Sequence, residues 1–476
     1  MSRTSGRDHR SWWCEHAWLG GDDVRAGVLV TARGGRITEV LDDVPCPVEA
    51  SVLRGLVVPG LANAHSHLFH RLLRSHTQRG HGSFWSWRDV MYAVAQRISP
   101  DQYIELAAAV YAEMALAGIT VVGEFHYLHH DVGGSRYVEP NVMGVAVAEG
   151  SARAGIRLTM LDTCYLSSAV DGSPLNDQQR RFGDGSGEAW AERVESLAAT
   201  LAHRPDVLVA AAVHSVRGVP TGHLGPVVRW AEAAGAPLHV HSSEQIAEVE
   251  QCLAVHGCTP TALLRDFGVL GPRTTAVHAT HVTAADVADL HASGTGVCWC
   301  PTTERDLGDG IGPASDLLAD PGCTFSLGSD SHAVIDLFEE ARAVELHERL
   351  RLERRGIIPA ARMLTSATAD GHRALGWTDA GSLRPGQLAD LVAIDLGSVR
   401  TAGGGPRVET AVFAAGAADV TDVVIAGRQV VADRRHLTVP DSAARLEALT
   451  SELLGTDVRS SGRAVTPTGR SSASSR

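Results

Sequence analysis

Eight short apolar runs, each followed by a stretch of helical character, constrain the fold of this chain more than any other feature of its sequence. They are VVPGLANAHSH (57–67), ITVVGEFHYLHH (119–130), RLTMLDTCYL (157–166), VLVAAAVHSVRGV (207–219), PLHVHSSEQ (237–245), TTAVHATHV (274–282), GVCWCPTTE (296–304) and TFSLGSDSH (324–332). Val, Leu and Ala follow one another without strict alternation, the pattern of strands buried on both faces of a parallel sheet. Between the runs, DQYIELAAAVYAEMALAG (101–118) carries apolar residues at i, i+3, i+4 spacing and closes on a glycine suited to a helix C-cap. Segments 222–235 and 283–294 close on glycine too. Eight strand–helix units predict an α/β fold, a (β/α)8 barrel over residues 57–378.

The flanks read differently. VRAGVLVTARGGRITEV turns on Gly34-Gly35 as a hairpin, and GSLRPGQLADLVAIDL and VTDVVIAGRQVVADRRHL repeat the style near the other end. Residues 1–56 and 379–440 are expected to pair into one small sheet domain beside the barrel. That leaves 441–476 as a terminal helix and a Ser/Gly/Arg-rich disordered tail.

Composition narrows the chemistry. All 42 basic residues are arginine; the 476-residue chain has no lysine. This excludes a phosphate-loop lysine, a Schiff base, a pyridoxal-phosphate anchor and a carboxylated lysine bridging two metals. The 55 acidic residues outnumber the 42 basic ones for a net charge of −13, which argues against a nucleic-acid partner. No apolar run approaches the ~18 residues of a membrane span, and the N-terminal MSRTSGRDHRSWWCEHAW has no apolar signal core. The eight cysteines are scattered; Cys298 and Cys300 are close but lack zinc-site spacing. These features predict a reduced, cytoplasmic enzyme with a small-molecule substrate and no membrane partner, for which a homodimer is the common symmetric assembly.

In a parallel barrel, reactive residues belong at the C-terminal ends of the strands. The first run ends in His65-Ser66-His67, whose two imidazoles point the same way. The fifth ends in His241-Ser242-Ser243-Glu244, the sixth carries His278, and the eighth ends in Asp330. With 23 histidines, one such His-x-His pair is expected by chance, and a second occurs at His239/His241. Singly, each histidine reads equally well as a hydrogen-bonded core residue. Their shared position at strand ends favours one metal site of three imidazoles and a carboxylate, suited to zinc or iron(II). His126, His129 and His130 form another cluster: His126 and Tyr127 are expected to line the pocket and His129/His130 to settle a loop, a second metal being the alternative. His239 is expected beneath the metal. GDGSG (183–187) and GDGIG (308–312) read as turns.

VPGLANAHSH, HSSEQ, VHATH and GSDSH resemble the motifs of the metal-dependent amidohydrolase superfamily, in its deaminase branch. FWSWRDVMY (84–92), GEFHYLHH (123–130) and CPTTERDLGDGIGP narrow the resemblance to the formimidoylglutamate deiminase family, over most of residues 15–440. The resemblance implies a barrel with a composite β-sandwich from the two flanks, and one divalent ion, zinc before iron, held by His65, His67, His241 and Asp330. It implies Glu244 as proton shuttle, Asp330 as acceptor of the water's proton, and His278 as the group that orients hydroxide and polarises substrate. Arg217 would bind the substrate's α-carboxylate and Tyr127 would touch substrate; His70 stands where the family has a substrate-contacting Gln. Arg88 and Arg305 are further candidates for a dicarboxylate, with surface ion pairs as the alternative, and Trp85 and Trp87 are expected to form a lid or to pack. The implied reaction is hydrolysis of N-formimino-L-glutamate to N-formyl-L-glutamate and ammonia, in histidine degradation. Two other readings are a deaminase of a purine or pterin ring and a catalytically inactive scaffold. The scaffold would be expected to lack Glu244 or a ligand, and neither is missing.

Overall fold

Eight parallel strands hydrogen-bond in chain order: β1 (Leu61–Ser66), β2 (Ile119–His126), β3 (Arg157–Cys164), β4 (Val207–Ser215), β5 (Leu238–Ser242), β6 (Thr274–His278), β7 (Gly296–Trp299) and β8 (Phe325–Leu327). The computed structural model of the protein describes residues 9–78, 84–320 and 322–458. Every residue of β2 and of β3 is buried, which explains runs of Val, Leu and Ala without alternation. The ring closes just beyond β8, where Ser66 and Asp330 form a parallel bridge.

Helices cover the outside and end where the sequence placed their stops. Helix Pro100–Leu116 starts from a Ser99/Gln102 capping box. Helices Leu224–Ala234 and Ala284–Ser293 end on Gly235 (φ 62°) and Gly294 (φ 69°), left-handed positions that glycine adopts without a Cβ penalty.

The flanks supply a second, mixed eight-stranded sheet. His9–Trp18, Val24–Arg33, Arg36–Leu41 and Ser51–Pro59 come from the N-terminal flank; Leu391–Ile394, Val420–Ile425, Arg428–Ala432 and Arg435–His436 come from the C-terminal one. Antiparallel pairing of Ser51–Pro59 with Leu391–Ile394 joins the halves. Alternate residues serve two cores. Leu53, Val57, Leu391 and Ala393 join Trp12 and Val30 in a small core, while Leu56, Val58, Val392 and Ile394 pack toward the barrel. Strand His9–Trp18 is a feature the sequence reading did not anticipate, since its polar residues hide the buried Trp12, Cys14 and Trp18. The terminal helix Ser442–Val458 docks on the barrel through Gln102 Nε2 to Glu452 (2.7 Å) and Arg97 to the Leu453 and Leu454 carbonyls. The tail expected to be disordered, 459–476, lies outside the described residues. No helix among the described residues is long and apolar enough to cross a membrane.

Sheet and barrel are tied by a buried ion pair. Arg157, the first residue of β3, donates to both oxygens of Asp390 at 3.0 and 2.5 Å, and Asp390 also accepts the Ala426 N–H at 2.8 Å. Burial works against the Asp390 carboxylate, but Arg157 outweighs it and holds the carboxyl below its ordinary range. Asp390→Ala leaves a buried guanidinium uncompensated and is expected to cost about 3–5 kcal/mol, read as a lower urea midpoint. The depressed pKa fixes the sign of the pH dependence. The contribution is fully present above the ordinary carboxylate value of ~4 and is lost as pH falls through the lower folded value. The variant is expected to lack that acid-side loss.

Candidate metal centre and active site

Four candidate donors converge at the mouth of the barrel. His65 from β1, His67 just past its end and His241 from β5 place ligand nitrogens within 4.8 Å of one another. His65 Nε2 lies 3.1 Å from His241 Nε2, and Asp330 Oδ1 lies 3.4 Å from His65 Nε2 and 3.3 Å from His67 Nε2. Two of the outer nitrogens are tied back: His67 Nδ1 donates to the Phe125 carbonyl (3.1 Å) and His241 Nδ1 to the His214 carbonyl (2.7 Å), while His65 Nδ1 is buried without a hydrogen-bond partner. The two bonds fix the His67 and His241 rings with a bare Nε2 facing inward, the tautomer a metal ligand needs. Burial pushes the His65 imidazole down to about 3 and lowers His67 and His241 as well, so all three are neutral near pH 7. Burial would raise Asp330, but His65, His67 and His278 hold its carboxyl below the usual range. Three neutral imidazoles and one carboxylate fit a single divalent ion. The Cys300 thiol also approaches His278 and Asp330, yet burial raises its pKa well above the ordinary value and keeps it a protonated, poor ligand.

Beside these donors stand the groups able to move protons and hold charge. His278 Nε2 lies 3.8 Å from both Glu244 Oε1 and Asp330 Oδ2, and its Nδ1 faces Glu304 Oε1 at 3.4 Å. Burial opposes its charged form, but Glu244, Glu304 and Asp330 outweigh burial and push the imidazole up to about 10. Arg217, just past β4, donates Nη2 to Glu244 Oε2 at 2.8 Å. The cavity, about 50 Å³, is lined further by Tyr127, Tyr165, Trp87 and Arg88. His70 Nε2 shares a 2.8 Å hydrogen bond with Tyr127 Oη, and the Trp87 ring stands edge-on to His70 at 4.9 Å.

The structure thus gathers His67, His70, Arg88, Tyr127, Arg217, His241, Glu244, His278 and Asp330 around one cavity, with His65 fully buried against His241 and Asp330, and it corrects several other expectations. Arg305 does not reach the site: it is 46% exposed and pairs with Glu339 at 2.9 Å. On helix Pro301–Leu307 its neighbour Glu304 points inward instead. Of two adjacent β2-end residues only Tyr127 faces the cavity, while His126 stacks against Tyr103. His239 Nε2 bonds the Ala374 carbonyl at 3.0 Å and not a metal donor. The side chain of Trp85 lies outside the described residues. His126, His129 and Asp162 come close enough to suggest a second metal site, but Asp162 is already satisfied by Trp190 Nε1 (2.9 Å) and by Arg193 (2.7 and 2.9 Å). A guanidinium in that position repels a cation, so the cluster is an ion-pair network that anchors the β2–β3 end. His129 and His130 belong to it through Asp162 and Asp184.

Sequence reasoning missed His214, Tyr92 and Tyr165 in the cavity wall, Glu304 behind His278, and Glu248 behind Arg217. The strand-end rule could have found His214, which lies at the end of β4. Asp309, in a segment read only as a turn, is buried beside Gln245; burial and then the charge of Glu244 push its carboxyl up to about 9.

A closed parallel barrel with this donor set at its strand ends is the architecture of a metal-dependent hydrolase acting on C–N bonds. The chain belongs to the amidohydrolase family, whose model matches residues 56–430. Among curated relatives it is 37% identical to the formimidoylglutamate deiminase of Pseudomonas aeruginosa, over 85% of this chain and 91% of that one. It is 32% identical to the 8-oxoguanine deaminase of the same organism, over 86% and 89%. Among solved structures an amidohydrolase from Brucella melitensis superimposes with a TM-score of 0.87 at 31% identity, covering 94% of this chain and all of that one.

The donor set generates a direct test. His241→Ala is expected to weaken metal binding by at least about 100-fold, measured by chelator competition. Arg305→Ala is expected to leave metal content and turnover within about twofold.

Proposed function

We propose that this protein hydrolyses N-formimino-L-glutamate to N-formyl-L-glutamate and ammonia. One observation carries the reading: two guanidinium groups, Arg88 and Arg217, share the small cavity beside the donor set. In a chain of net charge −13 without lysine, two arginines in one pocket suit two substrate carboxylates, which the guanidinium fork recognises bidentately. A purine or pterin ring does not require them. The 37% identity to a formimidoylglutamate deiminase supports the same substrate. We propose zinc as the ion, with iron(II) the alternative for the same donors, and a cytoplasmic homodimer acting in histidine degradation.

A divalent ion at His65, His67, His241 and Asp330 supplies the Lewis acidity that makes water nucleophilic at neutral pH. Asp330 takes the proton that water gives up as its oxygen adds to the formimino carbon. His278, cationic at neutral pH, faces the negative charge that develops on that oxygen. The terminal nitrogen leaves only when protonated, and the two protons it gains are the two that water loses. Glu244, 3.8 Å from His278, receives each in turn, the first from Asp330 and the second from the hydroxyl on carbon, and hands it to that nitrogen. As the hydroxyl gives up its proton the carbon–nitrogen bond breaks, ammonia departs, and the oxygen left on carbon becomes the formyl carbonyl. Arg217 and Arg88 hold the glutamate carboxylates, and Tyr127 and His70 close the wall between them.

Metal-replete protein is expected to release ammonia from N-formimino-L-glutamate and not from guanine or cytosine, with the activity abolished by chelation. Release only from a ring substrate would overturn the reading. Glu244→Gln is expected to retain its metal and lose about 10²- to 10⁴-fold in kcat. Near-normal turnover would remove Glu244 from the proton pathway.

A further inference from the structure

Arg217 meets two buried carboxylates through two different edges of its guanidinium. Its Nη2 donates to Glu244 Oε2 at 2.8 Å, while its Nε faces Glu248 Oε2 at 3.4 Å. Glu248 stands in the first turn of helix Ile246–His256 and Glu244 just before its N-cap, and both carboxylates meet the same cation. Glu248 is 1% exposed, and the groups that favour its ionised form are Arg217, His278 and the Ser243 backbone N–H. Burial pushes its carboxyl up and Arg217 opposes the shift. A buried acid of this kind is expensive to keep, and the reaction above gives it no task.

We propose that Arg217 works by exchange: Glu248 keeps the guanidinium in place through its Nε edge, while the Nη edge passes from Glu244 to a carboxylate of the substrate. The exchange rests on the dicarboxylate reading given above. It makes Glu248 a positioning residue and gives substrate recognition a chemical consequence. In the unliganded site Glu244 is engaged by Arg217; an entering carboxylate takes over the donor and releases Glu244 to move a proton. A neutral amidine lacks the competing anion and leaves Glu244 engaged. Without Glu248 the guanidinium settles on Glu244 with both edges, and a ligand must displace two hydrogen bonds instead of one.

The test uses the opposite signs that exchange assigns to the two glutamates. N-formyl-L-glutamate is titrated calorimetrically into the metal-loaded wild-type protein and its E244Q, E248Q and E244Q/E248Q variants. Exchange predicts that E244Q tightens binding about tenfold, because the ligand no longer breaks a charged pair. E248Q weakens it about tenfold, and in the E244Q background the E248Q effect shrinks to within about threefold, since no carboxylate remains for Arg217 to settle on. If both single variants tighten binding, only bulk negative charge is being removed and the exchange is wrong. If E248Q weakens binding equally in both backgrounds, Glu248 is merely structural and the exchange is again wrong. Should E248Q fail to fold, unchanged or weaker binding by E244Q alone overturns the proposal. No binding to the wild-type protein, with ammonia released only from a ring substrate, removes the dicarboxylate reading itself and the exchange with it.

Discussion

The barrel closes on one residue. Asp330 donates its backbone N–H to the His65 carbonyl at 3.0 Å and accepts the His67 N–H at 3.1 Å. The same residue contributes the carboxylate of the proposed metal set, so ring closure and donor geometry are a single constraint. Side chains reinforce the seam from both sides. Asn63 exchanges two hydrogen bonds with Ser329 (2.7 and 2.9 Å), and Ser66 Oγ meets His332 Nε2 at 2.9 Å. Behind them the buried Glu124 accepts from Ser66 Oγ, the Leu68 N–H and Tyr111 Oη, which fixes the turn after His67. This support bears a load: Asp330 (φ 42°) and His278 (φ 71°) both take left-handed backbone conformations. Such positions cost roughly 1–3 kcal/mol each for residues other than glycine, and they persist only where surrounding structure dictates them. Here the strain turns two side chains from the strand direction into the mouth.

Charge in the mouth is balanced locally and not by the molecule as a whole. Asp330, Glu244, Glu248 and Glu304 lie against His278 and Arg217, with Arg88 a third cation in the cavity wall. Asp309 would add a fifth negative charge, but its carboxyl, pushed up to about 9, stays protonated at neutral pH. The remaining excess of acid is what a divalent cation neutralises, and it is also why the dicarboxylate substrate proposed above needs arginines brought forward to meet it.

The strands and the donors were legible because both follow from strand geometry. Unalternated apolar runs mark β1 to β8, and the end of each run marks the mouth, which suffices to place His65, His67, His241, His278 and Asp330 together. What the sequence hid were rotations of one residue. Helix Pro301–Leu307 follows β7 almost at once, and its phase decides whether Glu304 or Arg305 faces inward; no periodicity in seven residues reveals that phase. Tyr127 and His126 differ in the same way at the end of β2, where one neighbour faces the cavity and the other the surrounding helices. Strand His9–Trp18 was hidden for another reason, because its burial rests on scattered aromatic residues among charged ones.

The absence of lysine acquires a physical meaning at Arg217. A lysine ammonium is one point of charge at the end of a flexible stem, and a glutamate that held it would compete directly with any substrate for the same point. A guanidinium is planar, with separate Nε and Nη donors in a fixed fork, so one carboxylate can hold it while another is exchanged. Glu248 on the Nε side and Glu244 on the Nη side use that difference. A site that must keep its cation buried, hold it still and yet offer it to an incoming anion is better served by arginine whatever the codon bias of the chain.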